Sequence, residues 1–112
     1  MTRAAADPGD WIDNVTGHRP ERIFLRTPQG RDLRYGGLGD RTRRFASALA
    51  SLGVAPGDRV AVRVDKSEDA VVLYLACLRQ GAVFVPINVA NTVSEVAYFL
   101  ADSEPRLAVV RP

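Results

Sequence analysis

The sequence has one cysteine, one lysine, one histidine and one tryptophan in 112 residues. A lone Cys77 excludes an intramolecular disulfide and a thiolate metal cluster. It sits in the apolar run Tyr74 to Leu78, and a buried thiol without cationic neighbours is usually inert, so a core role is expected rather than a nucleophile. His18, with no Ser or Cys in a recognisable arrangement, reads as a surface residue. The longest apolar stretch, 70–90, is interrupted by Arg79, Gln80, Pro86 and Asn88, which argues against a membrane span. The N-terminal segment carries Asp7, Asp10 and Asp13 and lacks an apolar stretch, so no signal peptide and a cytoplasmic location are expected. A net charge of +2 is too small to call for a nucleic-acid partner. Neither G-x-G-x-x-G nor G-x-x-x-x-G-K-[ST] occurs.

What is present is centred on residues 59–91. Val60, Val62 and Val64 alternate with Ala61 and Arg63, which reads as a strand. Ser67 is a good N-cap, and Glu68 and Asp69 in the next turn suit the positive end of a helix. Ala70 to Leu78 is apolar on all sides, which predicts a helix buried on most of its surface. Gly81 suits the end of that helix, and Ala82 to Ile87 reads as a second strand. Strand, helix and strand in about 30 residues make a βαβ unit, and such crossovers are almost always right-handed.

The flanks extend this unit. Residues 1–20 show no sustained period and are expected to be loose, apart from one helical turn of Trp11, Ile12 and Val15 docking on the body, with Trp11 and Val15 at i, i+4 spacing. Arg22–Thr27 and Asp32–Tyr35 are short strands around the turn Pro28-Gln29-Gly30, a β-hairpin. A helix from Leu38 or Asp40 to Leu52 follows, with Phe45, Leu49 and Leu52 on one face and Gly53 closing it. Pro86 is expected to end strand pairing. Thr92 and Glu95 form a capping box for a half-exposed helix to about Asp102, and Leu107–Val110 is a third strand. The fold class is therefore α/β: an N-terminal β-hairpin followed by a βαβαβ-type parallel sheet. The sequence runs out just after that strand, where a doubly wound sheet would need further cover, so a piece of a larger domain is expected.

Candidate chemistry is sparse. Gly36-Gly37-Leu38-Gly39 precedes a helix but follows a hairpin strand, so a flexible turn is expected rather than a phosphate loop. Arg41, Arg43 and Arg44 lie near a helix start without interleaved aromatics, which favours a solvated face, paired in part with Asp40, over a nucleic-acid patch. Glu68 and Asp69 are explained by the helix dipole. Asp65-Lys66-Ser67, at the carboxyl end of a central strand, is the best ligand-facing position. No active site is visible from the residues alone.

An ordered set of motifs then stands out. It comprises Leu52-Gly53, Val54–Ala61 (VAPGDRVA), Gly81-Ala82, Pro86-Ile87-Asn88, Thr92–Val96 (TVSEV) and Asp102–Arg106 (DSEPR). Over residues 21–111 the chain resembles the N-terminal region of the adenylate-forming acyl-CoA synthetases, and the run 65–83 is most similar to malonyl-CoA synthetases. The resemblance implies an incomplete N-terminal subdomain over 21–112, preceded by a loose segment at 1–20. It also implies a full-length enzyme using ATP, Mg and CoA to convert a carboxylic acid, through an acyl-adenylate, to a thioester. The family's phosphate loop, aromatic-x-T-E motif, ribose-binding Asp and catalytic Lys are absent from this sequence, so no catalytic, cofactor-binding or metal residue carries over. The expected partner is the remainder of the synthetase, in the same or a separate chain, and the chain alone is expected to be inactive. Two other readings stand beside it. One is a non-catalytic association module working through an open sheet edge, with self-association there; the other is a self-contained nucleotide-binding domain.

Overall fold

The computed structural model describes residues 8–65, 67–88 and 90–110. Helix α1 (Pro8–His18) is followed by the hairpin strands β1 (Ile23–Arg26) and β2 (Asp32–Arg34) and by helix α2 (Tyr35–Ser51). Strand β3 (Arg59–Arg63), helix α3 (Glu68–Gln80), strand β4 (Val83–Pro86), helix α4 (Val93–Ser103) and strand β5 (Leu107–Val110) complete the order. β1 and β2 are antiparallel, while β4-β3-β5 form a parallel sheet with β3 in the centre. The expected hairpin and parallel βαβαβ sheet are both present.

Alternation decides the sheet's two faces. Val60, Val62, Phe84, Leu107 and Val109 share the face that packs on Leu73, Ala76 and Cys77 of α3 and on Ala46 and Leu49 of α2. β4 and β5 lie on opposite sides of β3, so two right-handed crossovers put α3 and α4 on opposite faces. α3 begins as expected: the Ser67 hydroxyl accepts the Ala70 amide at 3.2 Å. It ends at Gly81, whose φ of 76° is left-handed and suits a residue without Cβ. Among α3's side chains only Asp69 and Tyr74 are exposed. The hairpin packs on the helices through Leu33, Leu38 and Val72.

Several expectations need correction. α1 is an 11-residue helix, not a single turn; Ile12 is buried as expected and is joined by Thr16, while Trp11 and Val15 are exposed. The reason is close approach. A Cβ on Gly39 would lie 2.7 Å from the Thr16 hydroxyl oxygen, so this close approach holds the Ile12–Thr16 side of α1 against α2 and leaves Trp11 and Val15 at the rim. α2 starts at Tyr35, so residues 36–39 are helical rather than a flexible turn. Leu52 lies past the end of α2 with its side chain 62% exposed, and Leu38, Thr42 and Ala46 join Leu49 on the buried face instead. Pro86 is the last residue of β4 but does not stop pairing. The Val83 and Ile87 amides donate to β3-side carbonyls at 2.7 and 2.8 Å, so the intervening even positions face the open edge, where a missing N–H costs nothing. α4 has its capping box but no buried residue, and is more exposed than expected.

Charges fasten the helices. Asp13 accepts from Arg43 at 2.7 Å and from Arg79 at 2.6 Å, tying α1 to α2 and α3. Arg41 pairs with Asp69 and Glu68, and Arg31 meets Glu68 at 3.3 Å, joining α2 and the hairpin turn to the start of α3.

Replacing Gly39 by Val should destabilise the chain by about 2 kcal/mol, because the added atoms overpack the α1–α2 contact; an unchanged thermal midpoint would refute that contact. The carboxyl of Asp13 is held below its ordinary range by hydrogen bonds from Arg79 and Arg43, and that of Glu95 by the Thr92 amide. A carboxylate with a depressed folded pKa stabilises above its unfolded pKa and loses that contribution as pH falls through the folded value. Stability should therefore decline below about pH 4.5, and Asp13→Asn should flatten that decline in urea titrations across pH.

Candidate functional site

The chain's switch point is the carboxyl end of β3, where one crossover leaves toward β4 and the sheet's other neighbour, β5, is reached from the opposite side. A cleft of about 340 Å³ opens there between α2, α3 and β5. Phe45, Val64, Leu73 and Val109 supply its apolar walls, and Ser67 and Asp69 its polar groups. Both polar groups are occupied. The Ser67 hydroxyl caps α3, and the Asp69 carboxylate is paired with Arg41. Of the predicted ligand-facing trio, Asp65 is exposed at the strand end, Ser67 lines the cleft, and Lys66 lies outside the described residues. No nucleophile–base pair is assembled among these lining residues, so the cleft suits an apolar group or another protein segment rather than proton transfer.

The other candidates separate cleanly. The start of α2 makes no phosphate cradle: the Tyr35 and Gly36 amides donate to the Arg22 and Pro20 carbonyls, both at 2.9 Å. Arg41 and Arg43 are taken by carboxylates, with Asp40 among the partners of Arg43 as expected, while Arg44 stands exposed without one among the described residues. The cations that do converge are ones the sequence patterning passed over. His18, Arg19 and Arg22 line a second cleft, of about 490 Å³, with Asn14, Val15 and Tyr35. The spacing H-R-P-E-R was the available signal, but only the docking of α1 beside the hairpin brings Tyr35 to it. Among the described residues, no three His, Cys, Asp or Glu side chains are grouped to hold a metal ion.

A model of the family of AMP-binding enzymes matches residues 12–112. The chain belongs to the AMP-binding enzyme family. FR901469 synthetase of Dothideomycetidae sp. (strain 11243) is 42% identical over 101 residues, which are 90% of this chain and 1% of that protein. Indoleacetate–CoA ligase of Aromatoleum aromaticum (strain DSM 19018 / LMG 30748 / EbN1) is 37% identical over 103 residues, 92% of this chain and 20% of the ligase. ATP-bound MatB from Rhodopseudomonas palustris superimposes with a TM-score of 0.82 at 35% identity, over 89% of this chain and 20% of MatB. This member of the AMP-binding family thus spans 20% or less of the length of these relatives. The hairpin-plus-parallel-sheet arrangement is that of the N-terminal subdomain of adenylate-forming enzymes.

Cys77 is placed where the sequence put it, fully buried between α3 and the sheet. Burial pushes its thiol up to about 11, because the thiolate would lose its hydration there. The folded chain should resist a thiol reagent such as DTNB at pH 8 and release one equivalent only on unfolding; rapid labelling of the native chain would contradict this packing.

Proposed function

We propose that this chain forms the N-terminal layer of an ATP-dependent acid–thiol ligase of the AMP-forming type, and that the chemistry is carried by segments beyond those described. One observation carries the proposal: the family match runs over nearly the whole chain, yet the chain corresponds to only 20% of a CoA ligase. The complete enzyme would use ATP and Mg to activate a carboxylic acid as its acyl-adenylate and then transfer the acyl group to CoA. The described residues do not by themselves fit ATP and its metal. The first amides of α2 are already bonded, and no acidic or histidine cluster is assembled. The contribution of this chain is then structural. It closes one side of the larger sheet sandwich and presents the apolar switch-point cleft to the remainder of the synthetase.

The similarity of residues 65–83 to malonyl-CoA synthetases, together with the likeness to MatB, supports malonate or a close relative as the acid. A cytoplasmic location belongs to the same reading; among the described residues no helix is long and apolar enough to cross a membrane. A second reading, an association module that complements a separately encoded remainder, is favoured by the open face of α4 and β5, where Val93 is 87% and Val110 49% exposed.

The chain alone, mixed with ATP, Mg, malonate and CoA, should release no pyrophosphate above background. Grafted onto MatB in place of the matched region, it should restore malonate-dependent release. Turnover by the chain alone would overturn the proposal. Restoration by the chain added as a separate polypeptide would favour the association module.

A further inference from the structure

The second cleft, at the corner of α1 and the hairpin, shares no lining residue with the switch-point cleft. His18, Arg19 and Arg22 are exposed there, and among the described residues neither arginine is in an ion pair, whereas Arg41, Arg43 and Arg79 are each held by carboxylates. Glu21, the nearest acid in sequence, is not among the lining residues. The carboxyl end of α1 also points into this region, but a helix end amounts to only about half a negative charge, against two guanidinium groups. A net positive field remains. Asn14 and Tyr35, both side chains able to hydrogen-bond, line the same wall.

The floor is apolar. Val15 and Tyr35 also line an adjoining slot of about 80 Å³, bounded by Trp11, Phe24 and Leu38. Trp11 is 56% and Phe24 39% exposed, and Phe24 stands edge-on to Tyr35 with ring centroids 5.5 Å apart. A ring-sized apolar slot beside two unpaired arginines matches a ligand with a flat group at one end and a dianion at the other. A dianion suits this cleft better than a single carboxylate, since two forked cations converge on it.

We propose that this corner is a binding site for an organic phosphate, with its apolar ring against Trp11, Phe24 and Tyr35 and its phosphate held by Arg19 and Arg22. Binding is non-covalent and independent of the switch-point cleft.

Trp11 is the single tryptophan of the chain, so its emission reports on this slot alone. Titrating the full chain with phenyl phosphate should change that emission saturably. Inorganic phosphate, which lacks the ring, and phenol, which lacks the charge, should each bind at least 10-fold more weakly. Arg19→Glu and Arg22→Glu should each weaken phenyl phosphate at least 10-fold. Arg44→Glu, the same charge change at an exposed cation outside the cleft, should leave it unchanged. The absence of a saturable response in the unsubstituted chain overturns the proposal without recourse to any variant. Equal loss with Arg44→Glu, or a response to vesicles of anionic phospholipid but not to phenyl phosphate, overturns it as well.

Discussion

The packing of α3 against α2, over the face of β3, carries the structure. Val60, Ala76 and Cys77 are fully buried in one cluster with Ala46 and Leu49 of α2, and Val72 is fully buried in a second with Leu33 and Leu38. Ala46, Ala76 and Cys77 along this seam are small, which lets α2 and α3 approach closely and leaves little room for adjustment. Interiors of this kind are packed at near-crystalline density, so a displaced α3 would open voids costing a few kcal/mol. The caps at Ser67 and Gly81 set where α3 starts and stops, and thereby which of its residues meet the sheet.

The charge network is secondary in energy but decides where α1 lies. Exposed ion pairs contribute about 1 kcal/mol or less each. Asp13 is better placed than most, because its partner Arg79 is only 14% exposed and has one end buried against Thr42. Through Asp13, α1 is held across α2 and α3, and its carboxyl end is carried to the hairpin. The cationic corner exists only because of that placement.

The opposite side of the sheet is thinly covered. α4 shields Ala61 but leaves Val83, Ala108 and Val110 with open neighbours, and none of its own side chains is buried. A parallel sheet is ordinarily covered on both faces. The chain spans a fifth of its CoA-ligase relative.

Local chemistry was legible from the residues. The strand alternation at Val60 and Val62, the caps at Ser67, Gly81 and Thr92 and the burial of Cys77 in its apolar run depend on neighbours within a few positions, and the motif order from Leu52 to Arg106 is itself linear, so sequence alone established them. What needed the folded chain was every choice among chemically equivalent options. Trp11, Ile12 and Val15 are all apolar, yet of these only Ile12 is buried, together with Thr16, because the close approach of Thr16 to Gly39 turns that side of α1 onto α2. The glycines at 36–39 look like a loop, yet they are helical because carbonyls from residues 20 and 22 meet the amides that open α2. Arg41 and Arg43 read as a solvated face paired in part with Asp40, yet their carboxylate partners include Asp69 and Asp13 from other helices, whereas among the described residues Arg19 and Arg22 are in no ion pair. A pairing partner 30 residues away in sequence leaves no local trace, and only the packing of α1 onto α2 and α3 brings it within reach.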